Sequence, residues 1–205
     1  MKHPIFARIY PRLAASADSA GAGEHRDELL AGAAGRVIEV GAGHGINFAH
    51  YPATVTEVVA VEPEPSLRGR AEAAAREAPL PVRVTDGFAE ALPAGDGEFD
   101  VAVTSLVLCS VGDPGAALRE IRRVLKPGGE LRFYEHIRAR APGFVRYQRV
   151  VDVLWPHLAG GCHLVRATDQ AIAGAGFTIE QARYFRFPTP RVPASPHVVG
   201  RARRI

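Results

Sequence analysis

The sequence predicts an α/β fold in which a mostly parallel sheet carries helices on both of its faces. Short apolar segments of strand length alternate with longer segments of helix length as far as about residue 136. That alternation is typical of strand–helix–strand units with right-handed crossovers. The chain of 205 residues, 47% of them hydrophobic, is long enough for one domain with a full core.

Apolar runs that are closed by glycine or proline indicate buried strands. These strands are predicted at Arg36–Val40, Glu57–Val61, Pro81–Thr85, Phe99–Ser105 and Glu130–Tyr134. One helix is predicted before the first strand, at Glu24–Ala34. Two more are predicted between strands, from a cap at Ser66 to about Ala78, and from Asp113 until Pro127-Gly128-Gly129 stops the helix.

The alternation of strands and helices breaks between Arg138 and Gly161. Helical spacing in this region predicts one helix that ends at Trp155-Pro156, with a shared face formed by Phe144, Tyr147, Val151 and Leu154. A shorter helix and two strands follow, at Thr168–Ala175, Phe177–Tyr184 and His197–Ala202. Strands that are joined without a long helix form antiparallel pairs, so we expect a hairpin at one edge of the sheet.

Composition and charge exclude several classes of protein. A net charge of +3 is too small to indicate a nucleic-acid-binding protein, and the arginine-rich stretch from Arg119 to Arg149 is interpreted as a solvated basic face. Cys109 and Cys162 form neither a disulfide framework nor a zinc-ligand pattern, and no metal site is predicted. No apolar run approaches the ~20 residues that span a bilayer, and a signal peptide is not recognisable, so a cytoplasmic location is expected.

A glycine-rich turn directly after the first strand is the sharpest local signal. Its sequence is Glu39-Val40-Gly41-Ala42-Gly43-His44-Gly45, and glycines let a backbone turn tightly and approach a ligand closely. Dinucleotide sites use G-x-G-x-x-G instead, whereas an acid before the turn favours a cationic ligand such as an ammonium or a sulfonium. Glu62 ends the second strand, where a carboxylate can accept hydrogen bonds from both ribose hydroxyls.

These residues resemble the type 11 domain of class I methyltransferases from about Gly35 to His136, half of the chain. The resemblance is carried by the Glu39–Gly45 turn, Glu62, the Gly87–Pro93 segment, Phe99-Asp100 and the characteristic Arg123–Gly129 block. It implies a Rossmann-like, mostly parallel seven-stranded sheet with an antiparallel edge hairpin, and S-adenosyl-L-methionine as the cofactor. The sequence departs from the family at His44, where threonine is frequent, and at Phe88, where many members carry an aspartate.

The resemblance also implies roles for particular residues. Glu39 would lie near the amino acid part of the cofactor, Glu62 at the ribose, Phe88-Ala89 at the adenine and Ser105-Leu106 at the methionine end. The implied cofactor-binding set is Glu39, Gly41, Ala42, Gly43, Gly45, Asn47, Glu62, Pro63, Gly87, Phe88, Ala89, Ser105 and Leu106. A single domain is expected, with a helical cap (1–35), a cofactor-binding core (36–136), an acceptor lid (137–167) and a C-terminal helix and hairpin (168–205).

A narrower resemblance, to the alkyl thiol methyltransferase-like subfamily, covers the acceptor side. It is carried by Asn47-Phe48, Tyr51-Pro52, Leu106–Val111, Phe133, Glu135-His136, Asp152, Trp155, Gly161, Cys162, Leu164 and Arg166. The resemblance implies a small-molecule thiol as the methyl acceptor. The hydrophobic anchor of the subfamily's animal members is not found in the sequence, so no integral membrane segment is expected.

The acceptor site needs little catalytic machinery if the acceptor is a thiol. A thiol with a pKa of about 8.5 is partly ionised near neutrality, so a weak base suffices. His136, just past the fifth strand, is the candidate base, because ligands of open α/β sheets lie at that edge. Substrate contacts are predicted for Cys109, Tyr147, Trp155, Cys162 and His163, each of which also has a simpler interpretation as a packing or turn residue.

Two other functions are compatible with the same residues. The first is C- or O-methylation of a quinone-like or polyketide-like acceptor, and the second is a protein that binds S-adenosylmethionine without catalysis. The choice of acceptor depends on resemblance, because one fold serves many acceptors. The sequence predicts no oligomeric state.

Overall fold

The computed structural model describes Arg8, residues 21–189 and residues 192–205, without the side chains of residues 188–194. Of the predicted N-terminal cap at 1–35, the part before residue 21 therefore lies outside the described residues, apart from Arg8. The remaining chain forms one seven-stranded sheet with helices on both faces.

The sheet has the strand order β3-β2-β1-β4-β5-β7-β6. Neighbouring strands from β3 to β5 are parallel, whereas β7 is antiparallel to both β5 and β6, which confirms the predicted sheet and its antiparallel edge. The strands are β1 Gly35–Val40, β2 Val55–Val61, β3 Val82–Thr85, β4 Phe99–Ser105, β5 Leu125–His136, β6 Phe177–Thr189 and β7 Val192–Arg204.

Six α-helices are described in these residues. They are α1 Gly23–Leu30, α2 Pro65–Glu77, α3 Pro114–Val124, α4 Pro142–Val151, α5 Trp155–Leu158 and α6 Thr168–Gly174, with a single 3₁₀ turn at Phe48–His50. Capping explains two of the starts. Asp113 accepts hydrogen bonds from the amides of Gly115 and Ala116 ahead of α3, and Glu64, rather than the predicted Ser66, accepts from Leu67 ahead of α2 because Pro65 is already the first helical residue.

Two apolar clusters cover the two faces of the sheet. Alternate residues of one strand point to opposite faces, so Ile38 belongs to one cluster and Val37 to the other. Helix α3 adds Leu118 and Ile121 to the first cluster, while α1 adds Leu30 to the second.

The prediction that Pro127-Gly128-Gly129 stops the third helix is wrong. Helix α3 ends at Val124, and Leu125 already pairs with Phe99 as the first residue of β5. The register then shifts before Glu130 pairs with Val101, so the Pro-Gly-Gly sequence forms an irregularity inside the strand.

The interpretation of the arginine-rich stretch as a solvated face fails at Arg132. This residue is buried on β5, where its guanidinium donates hydrogen bonds to Glu130 and to the backbone oxygens of Leu29 and Ala31. A cation at the carbonyl end of α1 satisfies oxygens that have no partner within the helix. Arg132 is therefore a structural link between β5 and α1.

The region after β5 also differs from its prediction. Helix α4 ends at Val151, and Trp155 begins α5 instead of ending the preceding helix. Of the predicted apolar face, Leu154 is 68% exposed and Phe144, Tyr147 and Val151 are only half-buried, so this face does not pack fully into the core. Helical spacing indicated the helix correctly but not what the helix packs against.

Candidate functional site

The glycine turn after β1 has a left-handed backbone at every other residue. The φ angles of Gly41, Gly43 and Gly45 are 69°, 60° and 85°. A Cβ on Gly41 would lie 2.6 Å from a Cγ of Val107, so the turn runs directly against the loop that follows β4. Backbone conformation therefore favours glycine at all three positions, and the close approach to Val107 adds a second requirement at Gly41.

Glu39 lies at the end of β1 and is almost completely buried. Its two carboxylate oxygens accept hydrogen bonds from the Asn47 amide at 2.8 Å and from the Tyr51 hydroxyl at 2.7 Å. Burial raises the pKa of Glu39 to about 7. The side-chain oxygen of Asn47 is buried without a hydrogen-bond partner among the described residues, which leaves an acceptor beside the carboxylate for a cationic donor such as an ammonium.

Glu62 follows β2 and is tied to the glycine turn. One carboxylate oxygen accepts from the Gly43 amide at 2.8 Å and the other from the Glu64 amide at 2.9 Å. Burial raises the pKa of Glu62 above its ordinary value. Pro63, which has no amide hydrogen, stands between Glu62 and Glu64. The carboxylate thus lies beside the glycine turn, at the position that the sequence analysis predicts for the ribose.

The segment after β3 contains Gly87, Phe88 and Ala89, the residues predicted to border the adenine. Gly87 packs closely, since a Cβ there would lie 2.9 Å from Val61 and 2.8 Å from Pro93. Phe88 is 55% exposed, whereas Ala89 is buried, so a flat aromatic surface is available next to the strand end. Asp86 forms an ion pair with Arg68 at 2.9 Å.

The loop after β4 is held by a buried acid that sequence analysis left without a role. Glu135 accepts hydrogen bonds from three successive amides, those of Val107, Leu108 and Cys109, at 3.1, 3.1 and 3.3 Å. Burial raises the pKa of Glu135 to about 7. Leu106, just before these amides, has a φ of 60°, the one positive value of a non-glycine residue in the described part of the chain.

His136 lies at the end of β5 and is 5% exposed. Within the described residues, neither ring nitrogen has a hydrogen-bond partner. Burial and the neighbouring His197, whose ring centre lies 5.2 Å away, lower the pKa of His136 to about 3. The imidazole is therefore neutral and weakly basic near neutral pH.

The predicted acceptor residues Cys109, Cys162 and His163 come together. The His163 amide donates to the Cys109 carbonyl at 2.8 Å. The neighbouring Cys162 thiol, together with burial, raises the pKa of the Cys109 thiol well above its ordinary value. Nδ1 of His163 lies 3.0 Å from a carboxylate oxygen of Asp152, and Arg166 donates to the Leu108 carbonyl at 2.7 Å.

Tyr147 and Trp155 lie on the helices that lead to Cys162. The Tyr147 ring contacts Phe144 on the same helix at 5.4 Å between centres. The indole nitrogen of Trp155 is buried without a hydrogen-bond partner among the described residues.

Across the described residues, no group of three or more His, Cys, Asp or Glu side chains is arranged to hold a metal ion. Nor does any described helix combine the length and apolarity that a membrane crossing needs.

The fold and the site together define a class of protein. A parallel sheet completed by an antiparallel β7, an acid–glycine turn after β1 and a carboxylate after β2 are the features of class I S-adenosylmethionine-dependent methyltransferases. A family model described as a methyltransferase domain matches residues 38–133.

Similarity to known proteins identifies the family within this class. The chain is 36% identical to thiol S-methyltransferase TMT1B of Rattus norvegicus over 170 residues, 81% of this chain and 69% of that protein. It is 33% identical to human thiol S-methyltransferase TMT1A over 179 residues, 84% of this chain and 73% of that protein. A methyltransferase structure from Thermotoga maritima has the same fold, with a TM-score of 0.72, 24% identity and coverage of 98% and 99% of the two chains.

The chain belongs to the class I S-adenosylmethionine-dependent methyltransferases, in the family that contains the thiol S-methyltransferases. It is accordingly a methyltransferase that uses S-adenosyl-L-methionine as its cofactor.

Proposed function

We propose that this enzyme transfers the methyl group of S-adenosylmethionine to the sulfur of a small-molecule thiol. The observation that carries the proposal is the close approach of Gly41 to Val107, which joins the glycine turn to the loop that bears Cys109, whose carbonyl accepts a hydrogen bond from the His163 amide. The thiol S-methyltransferases among the relatives support the choice of acceptor. The acceptor would bind between this loop and a lid formed by residues 137–167.

The residues present fit the cofactor. The orphan Asn47 oxygen and the Glu39 carboxylate would accept from its ammonium, and Glu62 would accept from its ribose hydroxyls. Gly87, Phe88 and Ala89 would border the adenine, and Ser105 and Leu106 the methionine part. The backbone of Gly41, Ala42, Gly43, Gly45 and Pro63 would follow the cofactor. When bound, S-adenosylmethionine supplies a methyl group that is activated by the attached sulfonium.

The protein's own task in this reaction is to position the acceptor and to exclude water. Methyl transfer from a sulfonium is an in-line displacement, so orientation and desolvation provide much of the acceleration. Cys109, Tyr147, Trp155, Cys162 and His163 are the proposed acceptor contacts. The low pKa of His136 makes it a poor proton acceptor, so we propose that its uncharged imidazole lines the site and takes no proton from the acceptor.

A reducing, cytoplasmic location is part of the same proposal. Cys109 and Cys162 are both free thiols, as is usual for proteins of a reducing compartment. Fractionation of cells that carry a tagged chain tests this point, and recovery of the chain with membranes would contradict it.

The activity is tested by incubating the protein with S-adenosylmethionine and a panel of alkyl thiols, phenols and quinols. We expect a thioether and S-adenosylhomocysteine in equal amounts from the thiols, detected by mass spectrometry. Turnover of phenols or quinols alone would favour the C- or O-methyltransferase alternative. Cofactor binding without any turnover would favour the non-catalytic alternative.

A further inference from the structure

The lid contains a carboxylate–imidazole pair formed by Asp152 and His163. Nδ1 of His163 lies 3.0 Å from Oδ2 of Asp152. A carboxylate only accepts hydrogen bonds, so Nδ1 carries the proton and the lone pair of the neutral ring is on Nε2. The Asp152 side chain is 13% exposed and that of His163 is 41% exposed. The acid is thus enclosed while the imidazole remains accessible.

Asp152 is itself held in place. Its second carboxylate oxygen accepts a hydrogen bond from the Leu164 amide, and its own amide donates to the Gln148 carbonyl at the end of α4. One carboxylate therefore fixes both the imidazole and the backbone that follows it. Such an orienting acid is the usual partner of a histidine that acts as a general base.

The segment that bears His163 is hydrogen-bonded to the loop after β4, which borders the glycine turn. The His163 amide donates to the Cys109 carbonyl at 2.8 Å, and Arg166 donates to the Leu108 carbonyl at 2.7 Å. The same loop contains Val107, which packs against Gly41. A continuous set of contacts therefore links the imidazole to the turn where the cofactor would bind.

The other titratable groups near this loop are less suited to take a proton. His136 is buried and neutral, and the Cys109 thiol is fully enclosed. Glu135 is occupied by the three amides of the loop. We propose that His163, oriented by Asp152, accepts the proton of the acceptor thiol; this inference rests on the proposed thiol methyltransferase function.

The step balances with the groups named. The thiol S–H bond breaks, its proton moves to Nε2 of His163, and its electron pair forms a bond to the methyl carbon supplied by S-adenosylmethionine. The bond from that carbon to the sulfonium sulfur breaks, and both electrons remain on the sulfur of S-adenosylhomocysteine. The imidazolium then returns its proton to water.

The test is His163→Ala assayed with a series of thiols of graded acidity at one pH. A proton acceptor matters for alkyl thiols that are still protonated and matters little for acidic aromatic thiols that are already thiolates. We expect kcat with alkyl thiols to fall about 10²-fold, the low end for general base catalysis, with little change for the aromatic thiols. Added imidazole should restore part of the alkyl thiol activity, and affinity for S-adenosylhomocysteine should be unchanged.

Three further variants make the result interpretable. His157→Ala is the matched control, because His157 is an exposed histidine of the same lid, and its activity should equal that of the wild type. His163→Gln replaces His163→Ala if the latter unfolds, and Asp152→Asn should show the same dependence on thiol acidity to a smaller extent.

Equal loss for every thiol, without rescue by imidazole, would overturn the inference and leave the pair a structural tie. Wild-type protein that methylates no thiol would refute the proposed function itself, and this inference with it. Wild-type turnover of thiols with no effect of His163→Ala would refute the inference alone.

Discussion

Glu62 connects the end of β2 to the glycine turn through the Gly43 amide at 2.8 Å. We expect Glu62→Ala to weaken binding of S-adenosylhomocysteine by about 1–3 kcal/mol, because the amide and the ribose hydroxyls lose their acceptor. Calorimetric titration measures this change. Glu64→Ala is the control, since it removes the cap of α2 and should cost about 1 kcal/mol of stability without altering affinity. Equal affinities for Glu62→Ala and the wild type would show that the ribose binds elsewhere.

We expect Glu39 to make cofactor binding dependent on pH. Its pKa of about 7 leaves part of the population protonated at neutral pH, and a bound ammonium beside it favours the carboxylate. Binding should therefore release a proton, and affinity should decrease as the pH falls below about 7. Calorimetry at pH 6.5 in buffers of different ionisation enthalpy measures the proton release. Glu39→Gln should abolish it; the same release from that variant would assign the proton to another group.

For individual residues, the sequence predicted correctly which side chains lie at the end of a strand. Glu39 and Glu62 each stand where an apolar run meets a turn, so their neighbourhood was predictable before their contacts were known. Glu135 was not assigned a role, because its three amide partners lie 26 to 28 residues away in the sequence. Only the parallel pairing of β4 with β5 brings them to it.

The glycine turn and the loop after β4 form one packed unit, which a cycle of substitutions can test. Gly41→Ala places a Cβ 2.6 Å from Val107 at a positive φ, so we expect a loss of about 2–4 kcal/mol from strain and overpacking together. Val107→Ala in the same chain should recover the overpacking part. Urea unfolding measures both values.

The matched control for this cycle is Gly69→Ala on α2. No atom lies within 4 Å of a Cβ at that position, so alanine should stabilise the helix by roughly 0.5–1 kcal/mol. Double variants that are no more stable than Gly41→Ala alone would show that backbone conformation, and not contact with Val107, requires the glycine.

Elements were predictable where local pattern and tertiary packing agree. Strand β4 was predicted at its observed bounds, because a buried strand needs only a short apolar run. Helix α4 and the residues after it were predicted less well, since the helical spacing of apolar residues does not identify the surface against which the helix packs. Leu154 illustrates this, with helical spacing in the sequence and 68% exposure in the structure.

The molecule as a whole carries buried acids and buried histidines whose effects on stability oppose each other. Glu39 and Glu135 have pKa values of about 7 against an ordinary 4.5, so the folded state retains their protons and their contribution falls as the pH rises from 4.5 to 7. His136 and His197 have pKa values of about 3 and 4 against an ordinary 6.5. Their contribution is lost as the pH falls below about 6.5.

Single substitutions should separate these opposing contributions. Glu39→Gln should gain stability relative to the wild type as the pH rises from 4.5 to 7, and His136→Phe should gain relative to the wild type as the pH falls below 6.5. Each unit of pKa shift corresponds to about 1.4 kcal/mol, so both trends are measurable by urea unfolding at a series of pH values. Stability curves parallel to that of the wild type would contradict the assignment of these pKa values.

The global topology was the part of the fold that the sequence predicted best, because alternating strands and helices allow few arrangements. The position of β7 is the exception in chain order: it follows β6 in the chain but lies between β5 and β6 in the sheet. During translation β6 thus emerges from the ribosome before the strand that it will pair with. The backbone edge of β6 that pairs with β7 stays open until β7 has been synthesised, so the growing chain is exposed to mispairing and chaperone binding at that stage.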